Sequence, residues 1–145
     1  MKPMQLLLAA AIALSAPAAL VLAQRQPDPV PAGLACPLKA KPMVRLELLF
    51  GLSRPHGPVI TDAEWQAFLD AEVTPRFPDG FTVLSGYGQY RDSAGRIVQE
   101  GARMLVVWHA PADRNGDIEA IREAYKARFT QESVLRADGS NCVSL

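Results

Sequence analysis

The chain has no excess of charge of either sign. Its 15 Lys and Arg offset 15 Asp and Glu, for a formal net charge of +0. Without a net field there is nothing to hold a polyanion, so nucleic acid is excluded as an expected partner. Catalytic signatures are also missing. Ser53 lies in no Gly-x-Ser-x-Gly elbow, no Walker loop or dinucleotide fingerprint occurs, and no CxxC pair is present. No cofactor is implied. Histidine is limited to His56 and His109 and cysteine to Cys36 and Cys142, with no local spacing of metal ligands, so no metal site is expected. No internal repeat marks a solenoid.

One long apolar run is present. Lys2 precedes Met4 to Leu22, and Val21 and Ala23 supply the small residues that a signal peptidase accepts before its cut. Residues 1–23 therefore read as a signal peptide cleaved before Gln24, which sends the mature chain to the periplasm or the exterior. The membrane is then met only through the leader during export. A leader retained as an anchor is the alternative, but Ser15 and Pro17 interrupt the run and three prolines follow between Gln24 and Pro31.

Outside the cytoplasm, Cys36 and Cys142 are first read as a disulfide. It would close a loop of about 105 residues, for which the chain-entropy model gives roughly 4.7 kcal/mol.

Residues 24–43 are a proline-rich lead-in without periodicity, and residues 44–145 form a single domain. Val44 to Phe50 alternates as a half-buried strand, with Val44, Leu46, Leu48 and Phe50 on one face and Arg45, Glu47 and Leu49 on the other. Thr61 and Glu64 form a capping box that starts a helix, with Trp65, Phe68, Leu69 and Val73 on its apolar stripe and Pro75 ending it. Phe81 to Tyr90 and a return strand from Arg96 to His109 flank the turn residues Asp92 to Gly95, and Gly101 suggests a bulge. A second helix spans Asp117 to Phe129 and a last strand Ser133 to Ala137.

The order strand, helix, strand, strand, helix, strand predicts an α+β ferredoxin-like βαββαβ sandwich, an antiparallel sheet with both helices on one face. There the first and last strands are neighbours, which would bring the two cysteines together.

Several segments resemble one family. They are Glu47 to Leu52, Glu64-Trp65 with Phe68, Val73 to Val83, Gly86 to Gln89, and Tyr125 to Val134 with Cys142. Together they are similar to the small exported bacterial proteins catalogued as DUF3574. The resemblance implies a small α+β domain behind an export signal, and brings no activity, substrate or catalytic residue.

The uncovered sheet face must meet water, bind a ligand, or pair with another protein or a second copy. Arg45 and Glu47 are expected there, joined by His109 and by Tyr87 or Gln89. Glu47 and His109 would be the acid and base of a small enzyme acting on a polar small molecule, since a carboxylate can orient an imidazole that titrates near neutrality. His56, in the loop after the first strand, is a further ligand-binding candidate, and with His109 and Glu47 it would make a two-His, one-carboxylate set. Against these stands an ordinary salt-bridged surface. Asp113 to Glu119 has its glycine at the wrong place for an EF-hand and reads as a helix start. Gly86 to Tyr90 lacks the cation and basic surroundings of an RNA-binding aromatic strand. The reading that follows is a non-catalytic module binding a small molecule or an envelope protein through its open sheet face.

Overall fold

A computed structural model of the chain describes residues 35–144. The leader and most of the lead-in lie outside the described residues. The elements are β1 (Lys41–Gly51), α1 (Asp62–Phe68) continued by a π-helical turn (Leu69–Val73), β2 (Thr82–Arg91), β3 (Ile97–His109), α2 (Asn115–Phe129) and β4 (Leu135–Val143). The four strands form one antiparallel sheet in the order β2-β3-β1-β4. This is the βαββαβ arrangement that the hydrophobic periodicities predict.

Alternation along β1 decides which face is covered. Leu46, Leu48 and Phe50 are fully buried, and with Leu105 and Val107 of β3 they meet Trp65, Phe68, Ile118, Ile121, Tyr125 and Phe129 of the helices. Phe50 lies at the centre of an aromatic cluster, edge-on to Tyr125 (4.6 Å), Trp65 (5.1 Å) and Phe68 (5.8 Å). Such edge-to-face pairs add to the stabilisation from area alone.

The disulfide joins Cys36 to Cys142, with 5.4 Å between Cα atoms. It has a structural consequence: β1 begins at Lys41 rather than Val44, and β4 runs to Val143 rather than Ala137. The additional pairs Lys41↔Val143, Pro42↔Cys142 and Met43↔Asn141 lie beside the bridge. The bulge expected at Gly101 is not there. Pairing of β3 with β2 is continuous from Thr82↔Val106 to Arg91↔Ile97, and Gly101 sits opposite Tyr87.

Helix α1 starts as its sequence dictates. The Thr61 hydroxyl accepts from the Glu64 amide, and the Glu64 carboxylate accepts from the Thr61 amide (2.9 Å) and from Arg54 (2.6 Å). The Thr61 amide first, then Arg54 and the Thr61 hydroxyl, hold the Glu64 carboxyl at about 2 instead of 4.5. Because the folded value is depressed, this contribution to stability is whole above the unfolded value and is lost as pH falls through the folded one. Melting temperatures measured from neutral pH down to pH ~2 are therefore expected to converge for wild type and Glu64→Gln. Parallel curves would contradict that assignment. Asp92 and Glu119, also held below their ordinary range, leave the variant a residual acid slope. The causes are led by the Arg96 amide for Asp92 and by the Arg122 guanidinium for Glu119.

Candidate functional site

Among the described residues no helix packs on the second face of the sheet, and its surface follows from the strand register. Residues directly opposite one another share a face. Leu84 of β2 lies opposite Met104 of β3, Met104 opposite Leu49 of β1, and Leu49 opposite Leu135 of β4. These four apolar side chains make an unbroken row across all four strands. Leu84 is 50% exposed and Leu135 56% exposed, while Leu49 and Met104 are half-buried between them.

The two halves of the face on either side of this row differ in height. Toward the start of β1 come Thr82, Val106, Glu47 and Ala137, then Trp108, Arg45 and Gly139. The Arg45 guanidinium pairs with Glu47 at 2.5 Å and lies over the indole of Trp108, 5.5 Å from the ring centroid. Toward the end of β1 come Gly86, Ala102 and Gly51, then Gly88 and Glu100. Glycine and alanine leave this half recessed, and nothing lies within 4 Å of where a Cβ at Gly86 or Gly88 would stand.

Glu100 is the buried carboxylate of the recessed half. It accepts from the Ser53 amide at 2.7 Å, and no ion pair among the described residues includes it. Its carboxylate occupies the space above Gly51, where a Cβ would fall 2.4 Å from Oε1. A side chain at position 51 would therefore have to displace the Glu100 carboxylate. Burial first, and then the negative charge of Glu100, raise both the Tyr90 and the Tyr125 hydroxyls above their ordinary range. The Tyr125 hydroxyl is not free, since it donates to the Gly51 carbonyl at 2.8 Å.

Arg45 and Glu47 stand on the open face as their alternation predicts. His109 does not join them. It lies opposite Val44 on the helix-covered face, with its ring 6.1 Å from that of Phe77 and Nδ1 donating to the Ala110 carbonyl at 2.8 Å. Tyr87 and Gln89 also project to that side, because they alternate with Gly86 and Gly88; Gln89 accepts from Gln99 at 2.6 Å. His56 is exposed in the loop after Gly51, whereas His109 lies beside Val44. The length of β1 between them is about 24 Å. Glu47, His56 and His109 are thus not convergent, and no group of three metal-ligating side chains occurs among the described residues.

Two hollows accompany the open face. One of about 170 Å³ lies beside Arg45, Glu47 and Gly139. Another of about 710 Å³ lies where β3 leaves the sheet, lined by Asp79, Thr82, Trp108, His109 and Arg114, and Glu47 is not in its lining.

The family model described as "Protein of unknown function (DUF3574)" matches residues 45–145, from within β1 onward. The chain belongs to the DUF3574 family. No curated protein matches it. Among solved structures, this DUF3574 domain is similar to a phage SAM lyase in complex with S-methyl-5'-thioadenosine. The TM-score is 0.56 at 14% identity, covering 71% of this chain and 90% of that one. The same phage lyase in its apo state gives 0.50 at 16% identity, over 78% and 97%. CutA from Synechococcus elongatus gives 0.46 at 12% identity, over 71% and 80%. At these identities the likeness to the lyase is one of fold.

The row of Leu84, Met104, Leu49 and Leu135 was missed by sequence reasoning. The signal was available in Leu49, which stands with Arg45 and Glu47 in the β1 alternation. The register that aligns Leu49 with three further apolar residues was not.

Proposed function

We propose that this DUF3574 protein is an exported, non-catalytic binding domain whose working surface is the open face of the sheet. The observation that carries the reading is the apolar row across all four strands, on a face that no helix among the described residues covers. Exposed apolar groups that are contiguous, rather than scattered, mark contact surfaces. Export is supported by the Cys36–Cys142 bridge, which suits an oxidising compartment. No helix among the described residues is long and apolar enough to cross a membrane. Catalysis by Glu47 and His109 gains no support from the geometry, because the two side chains leave opposite faces of the sheet.

Native mass spectrometry of protein purified from its exported fraction tests the proposal. The expected spectrum shows a mature, disulfide-bonded chain carrying a non-covalent companion, and Met104→Glu is expected to lose that companion while keeping its bridge. A bare monomer, or a companion retained by Met104→Glu, would overturn it.

A further inference from the structure

The open face is complementary to itself. From this we infer that its partner is a second copy of the chain, packed face to face about a twofold axis along the row of Leu84, Met104, Leu49 and Leu135. This inference rests on the reading of that face as the contact surface, and adds the partner and the geometry.

A twofold along the row places each row on its own image and exchanges the two halves of the face. The raised half, with Trp108 and Arg45, then comes down on the recessed half, with Gly86, Ala102 and Gly88. Counted along β3 in its open-face residues, Trp108 stands two places after Met104 of the row and Glu100 two places before it. The partner's Trp108 therefore seats over Gly88 and Glu100, and the partner's Val106 over Ala102. The alternative twofold, along the strands, sets raised on raised and leaves the glycine recess empty.

Charge follows the same exchange. Glu100 has no cation among the described residues, and Arg45 Nε is buried without an acceptor among them. The twofold along the row carries the partner's Arg45 toward Glu100 and this chain's Arg45 toward the partner's Glu100. Within one chain Arg45 pairs with Glu47 and its side chain is 42% exposed, so what the exchange supplies is a cation for the buried Glu100 and an acceptor for Arg45 Nε.

The area suits a weak, reversible pair. The open-face positions named above each cover about 4.8 by 6.8 Å and together give roughly 500 Å² in projection. Side-chain relief brings this near the lower bound of a stable interface, about 600 Å² per partner.

Sedimentation velocity on the mature, disulfide-bonded protein, from low to several hundred micromolar, tests the inference. Wild type is expected to be a reversible dimer. Gly86→Val and Gly88→Val place side chains in space that is open in the single chain, at strand positions that favour β-branched residues. Both are expected to melt no lower than wild type yet stay monomeric, and Arg45→Gln is expected to weaken association roughly tenfold. Valine variants that associate as wild type does would overturn the inference, as would a wild type monomeric throughout. In the second case the native mass spectrum separates the two claims. A monomer carrying a different companion removes the second copy and keeps the open face, whereas a bare monomer removes both.

Discussion

Phe50→Ala is expected to lower the unfolding free energy by roughly 3–5 kcal/mol, the range for emptying a fully buried aromatic site. Phe50 has no exposure and is in edge contact with Trp65, Phe68 and Tyr125 from both helical segments. Its removal leaves a cavity that strands and helices must share. The same change withdraws lateral support from Tyr125, whose hydroxyl donates to the Gly51 carbonyl and holds the end of β1. Phe50→Leu refills most of the volume and is expected to cost less than half as much. Urea unfolding followed by circular dichroism measures both. A loss below about 1 kcal/mol for the alanine variant would show that the helices do not meet the sheet at this residue.

Removing the bridge with the double variant Cys36→Ser, Cys142→Ser is expected to cost up to roughly 4.7 kcal/mol, the chain-entropy value for a loop of this length. The bonded residues are separated by 106 positions, so nearly the whole domain lies inside the loop. Near this domain size a kcal/mol corresponds to about 4 °C, so the melting temperature should fall by roughly 10–20 °C. The loss has a location as well. The pairs Lys41↔Val143 to Met43↔Asn141 should fray first, because they lie next to the bridge and at the edge of the sheet. Calorimetry of the oxidised protein and the double variant reads the shift, and amide exchange reads the fraying. A change of only a degree or two, with β4 still protected to Val143, would contradict this role.

The parts of the fold that were legible in the chain were those set by local chemistry. Thr61 and Glu64 announced α1 because a capping box satisfies its own amides. The alternation of Leu46, Leu48 and Phe50 identified the covered face because buried strands have a period of two. Turn residues located the hairpin, where Gly95 takes a positive φ of 81° and the Gly95 amide donates to Asp92. What failed depended on partners distant in sequence. Asp138 to Asn141 is polar and reads as a tail, yet it is strand because β1 lies beside it and the bridge holds its end. The π-helical turn after Phe68 has no sequence mark. His109, Tyr87 and Gln89 were expected on the open face and lie on the other, because a register displaced by one residue reverses every side chain of a strand. The candidate site was legible to the same extent: Arg45 and Glu47 stand where alternation puts them, whereas the recess at Gly86 and Gly88, the row through Leu49 and the cation-free Glu100 emerge only once the strands are aligned.

If the open face is the contact surface, its side chains should lose exposure as contact forms. Hydroxyl-radical footprinting of the disulfide-bonded protein at low and high concentration addresses this directly, because Met104 and Trp108 lie on that face and the exposed Tyr87 lies on the other. Protection that grows with concentration at Met104 and Trp108, with Tyr87 unchanged, is the predicted result. Labelling of Met104 and Trp108 that is indifferent to concentration would remove the second copy as the partner, and protection that falls on Tyr87 instead would contradict the open face itself.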